Sequence, residues 1–382
     1  MSVSIHTSAG QRFSIPDRHG CVAIACTLRR NTVIPERYAG VRSLAERLAP
    51  ADYTGFVEPY VHDAAVDMVI AREQLLQTLA AVGEGDWRRY VPYGSRTLHD
   101  VLAHLAAADH TWALAARRLV RSGAEAAVLT PEEAAAAGRR AIERGRRKPP
   151  AQLIEEMAGR RQLLLSLYDL IEPQHLALAL PTFGEEANSV RERIWLGYHD
   201  RLHADDVRRA RSMNWHPPKL TFLPELRPAV EALQPGPTLY VIYSVDPAAW
   251  ELPSPNEGWT FRQVLAHIAT GDWVLQRHLR HLIEAGSPAA WPDVDAGNAE
   301  RIAERRFSTV ERLIDEYLSM RHETMLLLAR LKAQHLRQPI EFPWESRPNE
   351  HTVLEYLLRF ERHERFHRGH LRPAMKYIRA TR

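Results

Sequence analysis

Apolar residues recur every three to four positions over most of the chain, and strict alternation is almost absent. The first such run, Ala64 to Val82, is rich in Ala, Leu, Val and Gln and stops at Gly83-Glu-Gly85, where glycine favours a helix end. A second helix is expected from Thr97 to about Ser122, with Leu98, Val101, Leu102, Leu105 and Trp112 at helical spacing. A third is expected from about Ala151 to Ile171, after an alanine- and arginine-rich piece of unassigned fold. A fourth runs from about Asn188 to Met213. Residues 1–58 lack this pattern and read as an extension, with short extended pieces at Arg12–Pro16 and Cys21–Ala25 and helical turns at Val41–Leu48.

The pattern then repeats. Val101-Leu-Ala-His-Leu-Ala matches Val264-Leu-Ala-His-Ile-Ala at an offset of 163, as Trp87 and Asp109 match Trp250 and Asp272. Leu153-Ile-Glu-Glu matches Leu313-Ile-Asp-Glu at 160, and His199 and His203 match His363 and His367 at 164. Small drifts that fall between helices are what loop insertions and deletions in a duplicated domain produce. The expected fold is therefore all-α: two tandem four-helix up-down bundles, at 59–216 and 217–382, behind the extension. Pro235-Gly-Pro237 falls where the first helix of the second copy belongs, which predicts a broken or late-starting helix there.

Composition changes this picture little. The 382 residues are 45% hydrophobic and 25% charged, with a formal net charge of +3, as in a globular protein of two domains. The basic run at Arg144, Arg146, Arg147 and Lys148 has no interleaved aromatics, so a nucleic-acid partner is not expected. No apolar run approaches the ~20 residues of a membrane helix, and no secretory signal is visible at Met1–His6, so the expectation is a cytoplasmic protein with no membrane partner. Cys21 and Cys26, the only cysteines, fit neither a disulfide framework nor a zinc spacing.

The chemistry lies in the histidines. His363 and His367, like His199 and His203, stand four apart and share a helix face. Each copy adds one histidine from its second helix, giving the sets His104, His199, His203 and His267, His363, His367. A lone histidine in Val-Leu-Ala-His is ordinarily a packed core residue, but all three positions recur in both copies. Three neutral imidazoles suit Zn²⁺ or Ni²⁺ first, and also Fe²⁺, and leave a coordination position open. His370 and Asp206 follow their pairs by three residues, and each is an extra ligand or a partner behind one. His278 lies on nearly the face of His267, although Ala115 replaces it in the first copy. His6, His19, His110, His281, His322 and His351 show no such pattern.

Trp259-Thr-Phe-Arg-Gln-Val-Leu-Ala-His267 and His363-Glu-Arg-Phe-His-Arg-Gly-His370 resemble the DinB-like (DinB/YfiT) metal-binding four-helix-bundle family. His370 stands where that family's ending carries Gln. The first copy departs further, with Arg96 for the Trp and Ala204-Asp-Asp206 after His203. The resemblance covers about residues 60–380. It implies a divalent metal on the three histidines and a small-molecule substrate. It also implies dimeric pairing, as a homodimer or imitated by the tandem within a monomer. Relatives include transferases and isomerases that use mycothiol, bacillithiol or glutathione, and a related domain occurs in ergothioneine-forming enzymes. The leading expectation is a metal-dependent transferase acting with a low-molecular-weight thiol. A metal-dependent hydrolase and a non-catalytic, metal-stabilised stress-response or binding protein are the alternatives, the last favoured if His370 or Asp206 closes the coordination sphere.

Overall fold

The computed structural model describes residues 4–6, 12–14, 59–122, 131–180, 188–256, 258–340 and 351–379. Cys21, Cys26 and the expected turns at 41–48 lie outside the described residues. Ser4–His6 and Arg12–Ser14 pair as two short antiparallel strands, with Ile5 opposite Phe13. The chain divides into two compact units, residues 1–91 with 96–214 and residues 92–95 with 215–382.

In the first unit, α1 (Pro59–Ala80) buries Ala64, Met68, Ala71, Leu75 and Leu79, the three-and-four stripe that its sequence predicts. α2 (Leu98–Ser122) starts where the Thr97 hydroxyl accepts from the Asp100 amide at 3.2 Å and the Asp100 carboxylate accepts from the Thr97 amide at 3.1 Å. The alanine- and arginine-rich piece is helical, α3 (Pro131–Gly145), and lies against α2. Gly145 permits this approach, because a Cβ there would stand 2.4 Å from the Ala103 Cβ, next to His104. α4 (Pro150–Tyr168) runs along α2, and α5 (Gly197–Ser212) runs along α1.

The fourth helix differs from its expected single span. Asn188–Ser189 pairs antiparallel with Ala179–Leu180, a short turn of helix covers Val190–Arg193, and the chain breaks before α5. The break brings Gly197 against the Asp67–Arg201 ion pair, where a Cβ would lie 2.3 Å from the Asp67 Oδ2.

The second unit repeats the plan with α6 (Gly236–Ser244), α7 (Phe261–Thr270), α8 (Trp273–Ala285), α9 (Val294–Glu304), α10 (Val310–Leu328) and α11 (Val353–Leu371). Pro237 sits in the first turn of α6, and a separate short helix, Arg227–Ala232, precedes it, so the first helix is both divided and late. α7 packs on α10 and α11, while α6 packs on α11. Thr260 and Gln263 cap α7 as Thr97 and Asp100 cap α2. Where α2 is continuous through Ala108, the second copy ends α7 and starts α8 across Gly271-Asp272. The core beneath these helices joins Leu275, Leu279, Leu282, Leu328, Leu331 and Leu357. The described residues are thus predominantly helical, with strands of only two or three residues, in two tandem bundles.

Candidate metal centre

Both histidine sets converge. In each, one ring nitrogen per residue lies within 4.8 Å of the other two. In the first unit His104 comes from the second turn of α2, with His199 and His203 one turn apart on α5. The Nε2 atoms of His104 and His199 stand 3.1 Å apart. In the second unit His267 occupies the last turn of α7, and His363 and His367 lie on α11, with His267 Nε2 3.2 Å from His363 Nε2.

The donor set suits a cation. Only one hydrogen fits between two imidazole nitrogens at this distance, so at least one nitrogen of each close pair offers a lone pair. Asp206 accepts from His203 Nδ1 at 2.8 Å and also from Arg209 at 2.8 Å. The bond puts a proton on Nδ1, and the buried Nε2 has no protein partner among the described residues, so it is the nitrogen placed to meet a cation in the neutral ring. Asp206 thus stands behind a histidine of the triad and outside the converging group. His370 is outside it too, its ring centre 5.3 Å from that of His367 and in a T-shaped contact with Phe366 at 4.5 Å.

Burial favours the neutral form of His104, His199, His267, His363 and His367. It is the leading cause that holds His104 and His199 well below the ordinary imidazole value, with neighbouring histidines adding to it. His267 falls to about 4 and His367 to about 3 for the same reasons. His363 is lowered too. Neutral imidazole is the ligating form, so these rings need not lose a proton to bind metal near pH 7.

The two surroundings differ. Trp259 lies over the second triad, its ring centre 5.1 Å from His267 and 6.3 Å from His367 at a nearly parallel 22°. Arg96 holds the matching position in the first copy, and its charge adds to the lowering of His104. His363 is the exposed member of the second triad and, with His267, lines a cavity of about 230 Å³. Trp273, Trp291, Tyr356 and Phe360 supply its aromatic wall, and Arg359 and Asn298 its polar groups. His278 does not line this cavity. It is buried behind the wall, 4.5 Å from Trp291 and 5.9 Å from Tyr356 between ring centres.

Each triad also has a buried ionic cluster behind it that the sequence reading did not assign. In the first unit Arg72 donates to Asp109 and Asp200 at 2.9–3.2 Å, and Arg161 donates to the same two carboxylates, all four being fully buried. Asp200 follows His199 directly, so the cluster anchors the ligand helix from its other side. In the second unit Arg321 meets Asp272 at 3.1 Å and also Glu364, the residue after His363. From α6, a threonine rather than an arginine meets the carboxylate: Thr238 is hydrogen-bonded to Glu364. The missing cation reappears as Arg368, 3.8 Å from Glu364, at a position that is Ala204 in the first copy. A signal for the cluster was present in the sequence. Arg161 falls three to four residues from Met157, Ala158, Leu164 and Leu165, in phase with the apolar face.

A model of the DinB superfamily matches residues 232–371, and a model of the mycothiol maleylpyruvate isomerase N-terminal domain matches residues 69–208. No curated protein and no solved structure matches the chain. Between them the two matches contain both histidine triads and both buried clusters, and they cover well over half of the sequence. The chain belongs to the DinB-like family, as two tandem domains.

Proposed function

We propose that the protein binds a divalent metal at His267, His363 and His367 and a second at His104, His199 and His203, and works as a metal-dependent transferase acting with a low-molecular-weight thiol. The observation that carries the reading is the exposed edge of His363 beside the 230 Å³ cavity. A three-histidine site with one side open to a cavity has room for a substrate next to the ligands. A bound metal would supply charge that favours a thiolate over a thiol. The chain's own residues hold and enclose: Trp259 covers the triad, aromatic side chains wall the cavity, and Arg359 adds positive charge to its lining. The match of the first domain to a mycothiol-dependent isomerase's N-terminal domain supports a thiol as co-substrate. Zn²⁺ and Ni²⁺ suit the imidazole set best, and Fe²⁺ also suits it.

The test is metal analysis of purified protein, followed by thiol-conjugation assays with mycothiol, bacillithiol and glutathione, each with and without chelator. Conjugation that needs both metal and a thiol supports the reading. Turnover that needs metal and no thiol replaces it with a hydrolase. Protein that carries no metal after growth in metal-replete medium overturns it.

A further inference from the structure

A second cavity, of about 590 Å³, opens between α8, α9 and α10. It is lined by four arginines, Arg277, Arg280, Arg301 and Arg305, against two glutamates, Glu284 and Glu316. Glu316 is already committed to Arg305, whose Nε donates to both of its oxygens at 2.9 Å. Arg280 is held at 3.0 Å by Gln276, a residue only 2% exposed, which is itself fixed by Met320 and Thr324. Arg301 places its guanidinium carbon over Trp273, 4.0 Å from the ring centre, and uses one nitrogen on the Gly297 carbonyl. Its remaining donors, and all of those on Arg277, meet no protein acceptor among the described residues. Two guanidinium groups with spare donors, the exposed Arg277 on α8 and the partly buried Arg301 on α9, thus line one cavity, and such a lining suits an oxyanion.

The duplication provides an internal comparison. At the offset of 163, Leu114 replaces Arg277, Ala113 replaces Gln276 and His110 replaces Trp273. The arginine cleft is therefore no requirement of the bundle. Trp273 also borders the cavity beside His267, so the two spaces share a wall.

We propose that this cleft is an anion-binding subsite that takes a carboxylate or phosphate group of a small ligand. That the ligand is the substrate of the neighbouring triad rests on the function proposed above; the binding itself does not. The test titrates the full chain calorimetrically at low salt with succinate and, separately, with inorganic phosphate, each with metal-loaded and chelator-treated protein. Saturable binding of either anion is expected, weakened about tenfold or more in Arg277→Ala/Arg301→Ala, since each lost charge-assisted pair costs that order. Arg147→Ala, an exposed arginine of the other unit, should bind as the parent does. The stronger anion tells a carboxylated from a phosphorylated ligand. Binding that persists after chelation supports the subsite even if the metal reading fails. Absence of saturable binding by both anions overturns the proposal, as does unchanged binding in a double variant that melts like the parent or equal weakening by Arg147→Ala. Metal-dependent turnover in protein that binds neither anion would overturn the subsite alone.

Discussion

Removing the arginine at the centre of the second buried cluster gives the sharpest test of what holds the ligand helix. Arg321 is 3% exposed and donates to Asp272, to Glu364 and, at 3.0 Å, to the Leu233 carbonyl. Arg321→Met keeps much of the volume and deletes the cation that two buried carboxylates share. Burial already raises Asp272 above its ordinary value of 3.8 against the pull of Arg321. Without that pull, the cheapest relief is uptake of a proton. Protonating at pH 7 a carboxylate whose ordinary value is 3.8 costs about 4 kcal/mol, at ~1.4 kcal/mol per pH unit. This agrees with the roughly 3–5 kcal/mol lost when one partner of a buried pair is removed. The sign follows from proton binding: the folded variant holds a proton that the unfolded chain has lost, so its stability deficit shrinks as pH falls. At pH 5 the deficit should be about 1.5 kcal/mol by the same arithmetic. Urea melts of the parent and variant at pH 7 and pH 5, following the second unit's transition, measure it. A loss under about 1 kcal/mol at pH 7, or one equal at both pH values, would refute the electrostatic account and leave only lost packing.

The remaining expectations concern the triads and their supports. His363→Ala/His367→Ala should lose one metal equivalent and keep the other, as read by elemental analysis; unchanged metal content would remove the assignment. In chelator-treated protein, His267 stays neutral down to about pH 4. The unfolded chain protonates this residue near 6.5, so it binds more protons over that interval. Stability should then fall as pH drops from about 6.5 toward 4, by up to ~1.4 kcal/mol per unit. A flat thermal-melt profile over this range would contradict it. Gly145→Ala drives a methyl into Ala103 and its backbone and should cost roughly 1–3 kcal/mol while weakening metal retention at His104; an unaltered melting temperature would show that α3 moves freely.

Much of this was legible in the sequence because period and repetition point the same way. The helices of both bundles follow from their apolar stripes, and the triads from a four-residue spacing seen twice with a third histidine at matching offsets. What stayed hidden depends on phase and on single residues. Arg160 and Arg161 look alike in the sequence, yet one lies near the surface and the other is 1% exposed, because only the second shares the face of Met157 and Leu164. The break in the fourth helix of the first unit carries no proline, and the close approach it makes is to Asp67, 130 residues earlier. The pairing of His203 with Asp206 was within reach of spacing. Its consequence, a fixed tautomer, needed the 2.8 Å distance.

The break at Gly271-Asp272 makes the two copies unequal in a way that the ligand lists conceal. Because α7 ends one turn after His267, the second triad stands at a helix carboxyl terminus, where aligned peptide dipoles sum to roughly half a negative charge. His104 sits in the second turn of a helix that runs on unbroken to Ser122, with a guanidinium nearby in place of an indole. A cation entering the second site meets a potential prepared for it, whereas one entering the first must offset Arg96 with Asp206. Identical donors would then fill in sequence: a substoichiometric metal titration should load His267, His363 and His367 before the other set, and the tandem would hold one tightly kept ion and one exchangeable ion.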